Sequence, residues 1–270
     1  MMGDRMLNNG LSQKPVRKRW GLILMLPLLV GMFAFFILAM EWRGSLRIQR
    51  VVVKGFNTIT AKEIANLAKV PTKTYIYTAN LYDIQGRILR QSFIKSVQVN
   101  RQFPNKLSIE IVERIPVVSI NCGQLCYIDA DGVLFTSSAT QKGFDIPLVS
   151  GISGAQTANI GKIFFSKEIF EAIEICQTAQ LLDTALYHLI SEINMNNGGD
   201  IILYTSDVGM PIMLGRKDIE KKLAMLENFW LNVAGTPDAD KLHYIDLRFE
   251  DQVIVKQAAQ QKRQEKKYSL

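Results

Sequence analysis

The sequence predicts an α+β protein carried on a single N-terminal transmembrane helix. Three observations support this class. The segment from Trp20 to Met40 contains no charged side chain. A β-α-α-β-β pattern follows it within about 70 residues. The rest of the chain is mostly β in pattern, with two helical patterns between the strands. We therefore expect a second domain with a curved antiparallel or mixed sheet and flanking helices.

The uncharged segment is long enough to cross a bilayer, because a helix of this length extends roughly 31 Å. Three basic residues at 17–19 precede it. Positive charge next to a membrane helix favours the cytoplasmic side. We therefore expect residues 1–19 to form a cytoplasmic tail, residues 20–41 to form the transmembrane helix, and most of the chain to lie outside the cytoplasm.

A cleaved signal peptide is the main alternative for this segment. Its apolar region is shorter, and it ends at a cleavage site made of small residues. The sequence Ala39-Met40-Glu41-Trp42 does not have that character. An uncleaved anchor is therefore the preferred interpretation.

The basic character of the chain is confined to its ends. The net charge is +7, and residues 1–19 and 256–270 contribute +4 each, so residues 20–255 carry −1 together. A nucleic-acid-binding surface would be a basic stripe on a folded face. The charge distribution therefore predicts no nucleic-acid partner, and it indicates a topology signal and a solvated C-terminal tail.

The β-α-α-β-β pattern has clear local signals. A β run from Arg47 ends at Gly55, and Thr60 with Glu63 forms a capping box at the start of a helix. A second helix precedes a hairpin whose apolar residues alternate on both strands. The turn of that hairpin contains Phe103-Pro104, and we expect the aromatic ring to cover the end of the hairpin.

These elements resemble a POTRA domain, in the form found in the FtsQ/DivIB cell-division family. The resemblance assigns the domain to residues 46–115, and the short N-terminal tail is closer to FtsQ of double-membraned bacteria than to DivIB. The residues that carry it are Ile48, Val51, Val53 and Gly55, Thr60 to Ile64, and the run Val97-x-Val99-x-Arg101-x-Phe103-Pro104-x-x-Leu107-x-Ile109-x-Ile111-x-Glu113-Arg114-x-Pro116.

The second half of the sequence resembles the β domain of the same family, over residues 116–256. A basic tail, 257–270, follows it. The matching pieces are Gly199 to Leu203, Leu214-Gly215-Arg216 before a helix, and Tyr244-Ile-Asp246-Leu-Arg248-Phe249.

Three cysteines are present, at positions 122, 126 and 176. Cys122 and Cys126 flank a predicted β turn, so a local disulfide is possible in an oxidising compartment, and two unpaired thiols are the alternative. Cys176 falls on an apolar helical stripe and is expected to be a buried core thiol. No zinc-ligand spacing accompanies the cysteines.

No catalytic pattern is present in the sequence. The two histidines, His188 and His243, lie far apart, and no nucleophile elbow, zinc-protease or P-loop motif accompanies them. We therefore expect no enzymatic activity, no cofactor, no metal and no small-molecule substrate, and function must come from binding surfaces.

The resemblance implies a bitopic scaffold of the bacterial divisome. Such a scaffold links early division proteins to the late proteins of septal peptidoglycan synthesis, and it binds an FtsB-like and FtsL-like pair. The binding mode is β-augmentation, in which the partner adds a strand to the C-terminal β edge. By position, the partner-binding residues are Phe249, Glu250, Asp251, Val253, Ile254 and Val255.

One departure from the family pattern affects this edge. An ungapped match places Gln257 where the family has a second aromatic residue. The consecutive β-branched residues 253–255 would also suit an ordinary internal strand that is buried on both faces. Both interpretations of these residues are open from the sequence alone.

The resemblance also implies recruitment to the division site through the POTRA domain, and Arg101 is the position that carries over. An ordinary exposed arginine beside a turn is the alternative. The transmembrane helix is expected to add contacts with other divisome components and with inner-membrane lipid. The expected location is the inner membrane, concentrated at the septum.

The alternative function class is a POTRA-containing protein-transport or outer-membrane assembly component. Those proteins require many alternating C-terminal strands. Here the C-terminal region has about 140 residues and two helical patterns, so the divisome scaffold is the preferred prediction.

Overall fold

The computed structural model describes residues 20–71, 74–137, 143–233, 236 and 242–257. The predicted cytoplasmic tail, 1–19, and the tail beyond residue 257 lie outside these residues. Helix α1 runs from Trp20 to Ser45, and its side chains are described from Met25 to Glu41. Among the described residues, no helix is both long enough and apolar enough to span a membrane.

The predicted β-α-α-β-β order is present after α1. The strands form a three-stranded sheet in the order β1-β3-β2. The capping box is also present, because the Thr60 hydroxyl accepts from the Glu63 N–H while the Glu63 carboxylate accepts from the Thr60 N–H. The elements are β1 (Arg50–Lys54), α2 (Ala61–Ala68), α3 (Leu81–Leu89), β2 (Ile94–Gln102) and β3 (Lys106–Glu113).

The expected role of Phe103 is wrong. Its side chain is 66% exposed, so the ring does not cover the end of the β2–β3 hairpin. The apolar interior of this region instead comes from the alternating strand residues Val97, Val99, Leu107 and Ile109, which are all buried.

The described residues after β3 form one nine-stranded sheet in the order β12-β11-β10-β9-β8-β7-β4-β5-β6. The pairs β4–β7, β7–β8 and β10–β11 are parallel, and the other neighbours are antiparallel. The predicted mixed sheet is thus confirmed. Its strands are β4 (Pro116–Asn121), β5 (Leu125–Asp129), β6 (Leu134–Phe135), β7 (Leu148–Ser150), β8 (Ile190–Asn194), β9 (Ile202–Thr205), β10 (Pro211–Met213), β11 (Leu242–Asp246) and β12 (Ile254–Gln257).

In the part of the chain that the structure describes, three α-helices accompany this sheet: α4 (Lys167–Leu182), α5 (Thr184–Leu189) and α6 (Ile219–Val233). Helices α4 and α6 contact each other. Both place apolar residues in the core that the strands form, since Ile169, Cys176 and Leu223 are fully buried together with Ile193 and Ile245. Helices segregated on an antiparallel or mixed sheet define the α+β class, which agrees with the sequence prediction.

By backbone contacts, the described chain divides into two compact units. One contains α1 with residues 46–52, 71–79 and 100–107. The other contains residues 53–70, 80–99 and everything from 108 onward. The nine-stranded sheet therefore belongs entirely to the second unit.

Candidate partner-binding edge

Strand β12 lies at one end of the nine-stranded sheet. It pairs antiparallel with β11, where Ile245 faces Val255 and Asp246 faces Ile254. In the described chain no further strand lies beyond it. Its outer backbone N–H and C=O groups therefore form an open edge, which a strand from another chain can extend.

The opposite end of the sheet is different because the chain itself covers it. Beyond β6, the Leu134 N–H donates to the Lys162 carbonyl at 2.9 Å, and the Gly161 N–H donates to the Leu134 carbonyl at 2.7 Å. Val133 also forms a bridge with Ile163. One edge of the sheet is therefore closed by a local segment, whereas the β12 edge has no such cover among the described residues.

The side chains of β12 are partly open to solvent. Ile254 is 38% exposed and Val255 is 37% exposed. Val253 precedes the strand, is half-buried, and packs against the apolar core. The interpretation of residues 253–255 as an internal strand buried on both faces does not fit this arrangement.

The loop between β11 and β12 contains the other three predicted residues. Phe249 is 51% exposed, and Glu250 and Asp251 are also exposed. Asp251 adopts a left-handed conformation with φ 54°, and its carboxylate lies 2.6 Å from the Lys221 ammonium on α6. That hydrogen bond and charge raise the pKa of Lys221 above its ordinary value. The ion pair holds the loop against α6 directly before the edge strand.

A polar cluster next to this loop was not predicted as part of the site. The Arg248 guanidinium donates to the carboxylates of Asp246, at 2.7 Å, and Asp200, at 3.1 Å. The hydrogen bond and charge from Arg248 hold the pKa of Asp246 below its usual range. The sequence signal for this cluster is the run Tyr244-Ile-Asp246-Leu-Arg248-Phe249, in which Asp246 and Arg248 stand two residues apart.

Gly215 shapes the cleft beside Arg248. Its φ is +70°, and a Cβ atom there would lie 3.3 Å from the Arg248 Cγ and 3.4 Å from the Lys222 Nζ. Lys222 is buried and donates to the Leu214 carbonyl at 2.9 Å. The cleft therefore presents a fixed arrangement of cations and carboxylates next to Phe249 and Glu250.

Arg101 lies far along the chain from this edge, near the end of β2. Its Nε and Nη2 atoms donate to the carbonyls of Ile76 and Ala79, both at 2.8 Å. The side chain therefore holds the 76–79 segment in place, a contact that the sequence analysis did not foresee.

Cys122 and Cys126 are brought together at the turn between β4 and β5. Their Cα atoms are 6.1 Å apart and their sulfur atoms are bonded. This Cα separation is within the normal range for a disulfide.

Cys176 is buried, as the helical stripe predicted, and burial raises the pKa of its thiol to about 12. A thiol with so high a pKa is a poor nucleophile at neutral pH. His188 Nδ1 lies 3.6 Å from the Asp145 carboxylate at an exposed position, and His243 is also exposed. Within the described ranges, no group of three or more His, Cys, Asp or Glu side chains could hold a metal ion.

Comparison with known proteins matches both halves of the chain. A family model described as POTRA domain, FtsQ-type, matches residues 46–114. A second model, Cell division protein FtsQ/DivIB, C-terminal, matches residues 117–248. The two matches together define the class of the chain as an FtsQ-type division protein.

Curated relatives agree with these models. Cell division protein FtsQ of Geotalea daltonii is 33% identical over 214 residues, covering 78% of this chain and 75% of the relative. The FtsQ of a Geobacter species is 30% identical over 211 residues, covering 78% and 76%. The FtsQ of Rhodothermus marinus is 28% identical over 225 residues, covering 81% and 80%. The chain belongs to the FtsQ/DivIB family of cell-division proteins, and this membership supports a scaffold role in septation.

Proposed function

We propose that this chain is a non-enzymatic, bitopic scaffold of the divisome that binds an FtsB-like and FtsL-like pair by β-augmentation at β12. In this role it links early division proteins to the late proteins of septal peptidoglycan synthesis. The observation that carries the proposal is the open β12 edge, which contrasts with the covered β6 edge of the same sheet. Membership in a family of division proteins supports the same role.

The proposed anchor is α1. Its side chains from Met25 to Met40 are apolar or small, and the large ones are mostly exposed on all sides of the helix. A helix that is apolar all round requires an apolar environment. We therefore propose residues 20–41 as a single inner-membrane span, with residues 1–19 in the cytoplasm and the rest in the periplasm.

The proposed domain division follows from this topology. Residues 46–115 form the POTRA domain, 116–256 the β domain, and 257–270 the basic tail. The ranges matched by the two family models, 46–114 and 117–248, support the POTRA range and the start of the β domain, and the end at residue 256 is proposed from the sequence.

At the edge, the partner strand is proposed to hydrogen-bond with the outer backbone of β12. Ile254 and Val255 then contact the partner's side chains, because their exposed fractions leave apolar surface for burial. Phe249 is the aromatic anchor beside the edge, and Glu250 and Asp251 form its polar rim. Val253 supports the strand from the core side.

The test is co-purification of the full-length protein with the extracytoplasmic segment of the FtsB-like partner. Phe249→Ala removes the exposed ring, and Val255→Lys places a charge where apolar contact is proposed. We expect each variant to bind at least about fivefold more weakly, since a substitution at an anchor costs more than about 1 kcal/mol. Circular dichroism of each variant checks that the fold is retained.

Leu181→Lys is the matched control, because Leu181 is 86% exposed on α4 and has no proposed role. It should bind as the unmodified protein does. Unchanged binding by both edge variants would move the interface away from β12. Failure of the unmodified protein to bind would remove the FtsB-like partner from the proposal.

A second surface is proposed on the POTRA domain for recruitment to the division site, with Arg101 at its centre. The support is the position of Arg101 in the family pattern. The structure adds that the Arg101 side chain orders the 76–79 segment by donating to two of its carbonyls. Arg101 would then act through its own exposed guanidinium, and not through the 76–79 segment that it orders.

A further inference from the structure

Three short segments belong to the same compact unit as α1, and the first of them directly follows the helix in the chain. They are residues 46–50, 74–79 and 101–106. We call the residues Arg47, Arg50, Tyr77, Phe103 and Lys106 on these segments the proximal surface.

The first two segments are joined within two residues of the helix end. Helix α1 ends at Ser45, and the Ile76 N–H donates to the carbonyl of Leu46 at 2.9 Å. Arg47 forms a β bridge with Tyr75. Because two residues of extended chain span at most about 7 Å, the 74–79 segment lies close to the end of α1.

The third segment is fixed to the same place. The Asn105 carbonyl accepts from the N–H groups of Gln49 and Arg50, at 2.9 Å and 3.3 Å. Arg101 donates to the carbonyls of Ile76 and Ala79. The turn that carries Phe103 is thus held beside the residues that follow the helix.

The chemistry of the proximal surface is aromatic and basic. Tyr77 is 52% exposed and Phe103 is 66% exposed. Tyr77 stacks on Tyr75, and the Arg47 guanidinium lies 5.4 Å from the Tyr75 ring centroid. The described residues of 46–52, 74–79 and 100–107 include four cations, at 47, 50, 101 and 106, and no carboxylate.

We propose that the proximal surface docks on the headgroup layer of the bilayer, with a preference for anionic lipid. This inference rests on the proposed membrane anchor and adds a second membrane contact to it. Tyrosine and other amphipathic aromatic side chains favour the membrane–water interface, and basic side chains are attracted by anionic headgroups. The chain itself brings the surface to the membrane, because α1 ends one residue before Leu46.

Docking would restrict the orientation of the proximal surface relative to the plane of the bilayer. Tyr77 and Phe103 would lie at headgroup depth, and Arg50 and Lys106 would contact lipid phosphate. Each basic residue near an anionic surface raises the affinity by about fivefold. The preference for anionic lipid is therefore measurable by charge reversal.

The test uses the full chain in lipid nanodiscs with nitroxide labels at single introduced cysteines. The labelled variants are Tyr77→Cys and Phe103→Cys, and Phe33→Cys on α1 gives the lipid reference. The depth of each label in the bilayer is measured by electron paramagnetic resonance, from the collision rates of the nitroxide with oxygen and with a water-soluble nickel chelate. Labelling of the unmodified chain gives the background from the native cysteines.

We expect labels at positions 77 and 103 to read as interfacial, between the aqueous value and that at position 33, in phosphatidylglycerol-containing nanodiscs. In nanodiscs of phosphatidylcholine alone, both readings should shift toward the aqueous value.

Arg50→Glu combined with Lys106→Glu should cause the same shift in phosphatidylglycerol-containing nanodiscs. The matched reversal Lys62→Glu with Lys162→Glu, at exposed positions outside the surface, should not.

Two results would overturn the inference in distinguishable ways. Aqueous readings at 77 and 103 with a lipid reading at 33 would remove the docking and leave the anchor, and the surface would then be free for a protein partner. An aqueous reading at 33 would show that α1 is not in the membrane, which would overturn the anchor and the docking together.

Discussion

Glu113 shows how one side chain organises distant backbone. Its carboxylate, at the end of β3, accepts from the N–H groups of Asn57, Thr58 and Ile59, at distances from 2.8 to 3.2 Å. Burial by itself would raise the pKa of Glu113. The hydrogen bonds from Thr58, Asn57 and Ile59 outweigh burial and hold the pKa below its ordinary value. The ionised carboxylate therefore stabilises the turn that leads into α2.

The sign of the pH effect follows from this lowered pKa. A carboxyl group whose folded-state pKa is depressed contributes stability above its unfolded pKa, which is about 4.3 for glutamate. That contribution is lost as the pH falls through the folded-state pKa. We expect Glu113→Gln to lower the free energy of unfolding by about 1 kcal/mol at pH 7. The difference from the unmodified protein should shrink below about pH 4.

Urea denaturation between pH 7 and pH 3 measures this difference. Glu110→Gln on the same strand is the matched control, because Glu110 is exposed and lies 3.9 Å from Lys54, so its loss should change stability little. Parallel pH profiles for Glu113→Gln and the unmodified protein would contradict the role assigned to Glu113.

At the scale of elements, the β4–β5 hairpin is held at both ends, by a disulfide at its turn and by an ion pair at its open end. At its turn, Cys122 and Cys126 are bonded. At its other end, the Asp129 carboxylate pairs with Arg114 and accepts from the N–H groups of Asp131 and Val133. Arg114 also donates to the Ser92 carbonyl at 3.1 Å. The hairpin is therefore tied to the segment before β2 by a nearly buried ion pair.

The cysteine pairing is tested by counting thiols in the full-length protein isolated from its membrane. Denatured without reductant, the chain should show one reactive thiol, that of Cys176, and three after reduction. The double variant Cys122→Ser/Cys126→Ser should have a free energy of unfolding about 2 kcal/mol lower than the unmodified protein, as loop-closure entropy predicts for so short a loop. Cys176→Ser leaves the bridge intact and should remove the single reactive thiol. Three thiols without reductant would show that Cys122 and Cys126 are unpaired in the cell.

At the scale of the whole molecule, the proposed function assigns different tasks to different regions. In that proposal the β12 edge binds the partner pair, the POTRA surface recruits the chain, and α1 anchors it. Because these tasks lie on separate segments, variants can separate them. In an enzyme, by contrast, different substitutions at the active site would all reduce the same catalytic activity.

Depletion of the protein in its host should give filaments, because septation would fail without the scaffold. A fluorescent fusion should restore division and lie at the septum. Arg101→Ala should lower the septal fraction of the fusion without lowering its cellular level. Arg90→Ala is the matched control, as Arg90 is an exposed arginine at the end of α3.

An unchanged septal fraction for Arg101→Ala would remove the recruitment role from this residue. Its contacts with Ile76 and Ala79 would then be its whole contribution. Normal division after depletion would contradict the scaffold role itself.

Several features of this protein were determined by the sequence alone. The order of the elements, the capping box of Thr60 and Glu63, and the buried position of Cys176 follow from residues that are neighbours along the chain. Such features depend on local hydrogen bonding and on the period of apolar residues, so a sequence pattern predicts them. The family also follows from the order and spacing of short motifs.

Only the tertiary structure decided the rest. Glu113 meets Asn57 across 56 residues, Arg101 meets Ile76 across 25, and β12 is left at an open edge while the Gly161–Phe164 segment covers β6. Phe103, which the pattern placed over the hairpin, is exposed instead. These outcomes depend on where the chain returns in space. Contacts between residues far apart in sequence are set by the packing of whole elements, which no local pattern contains.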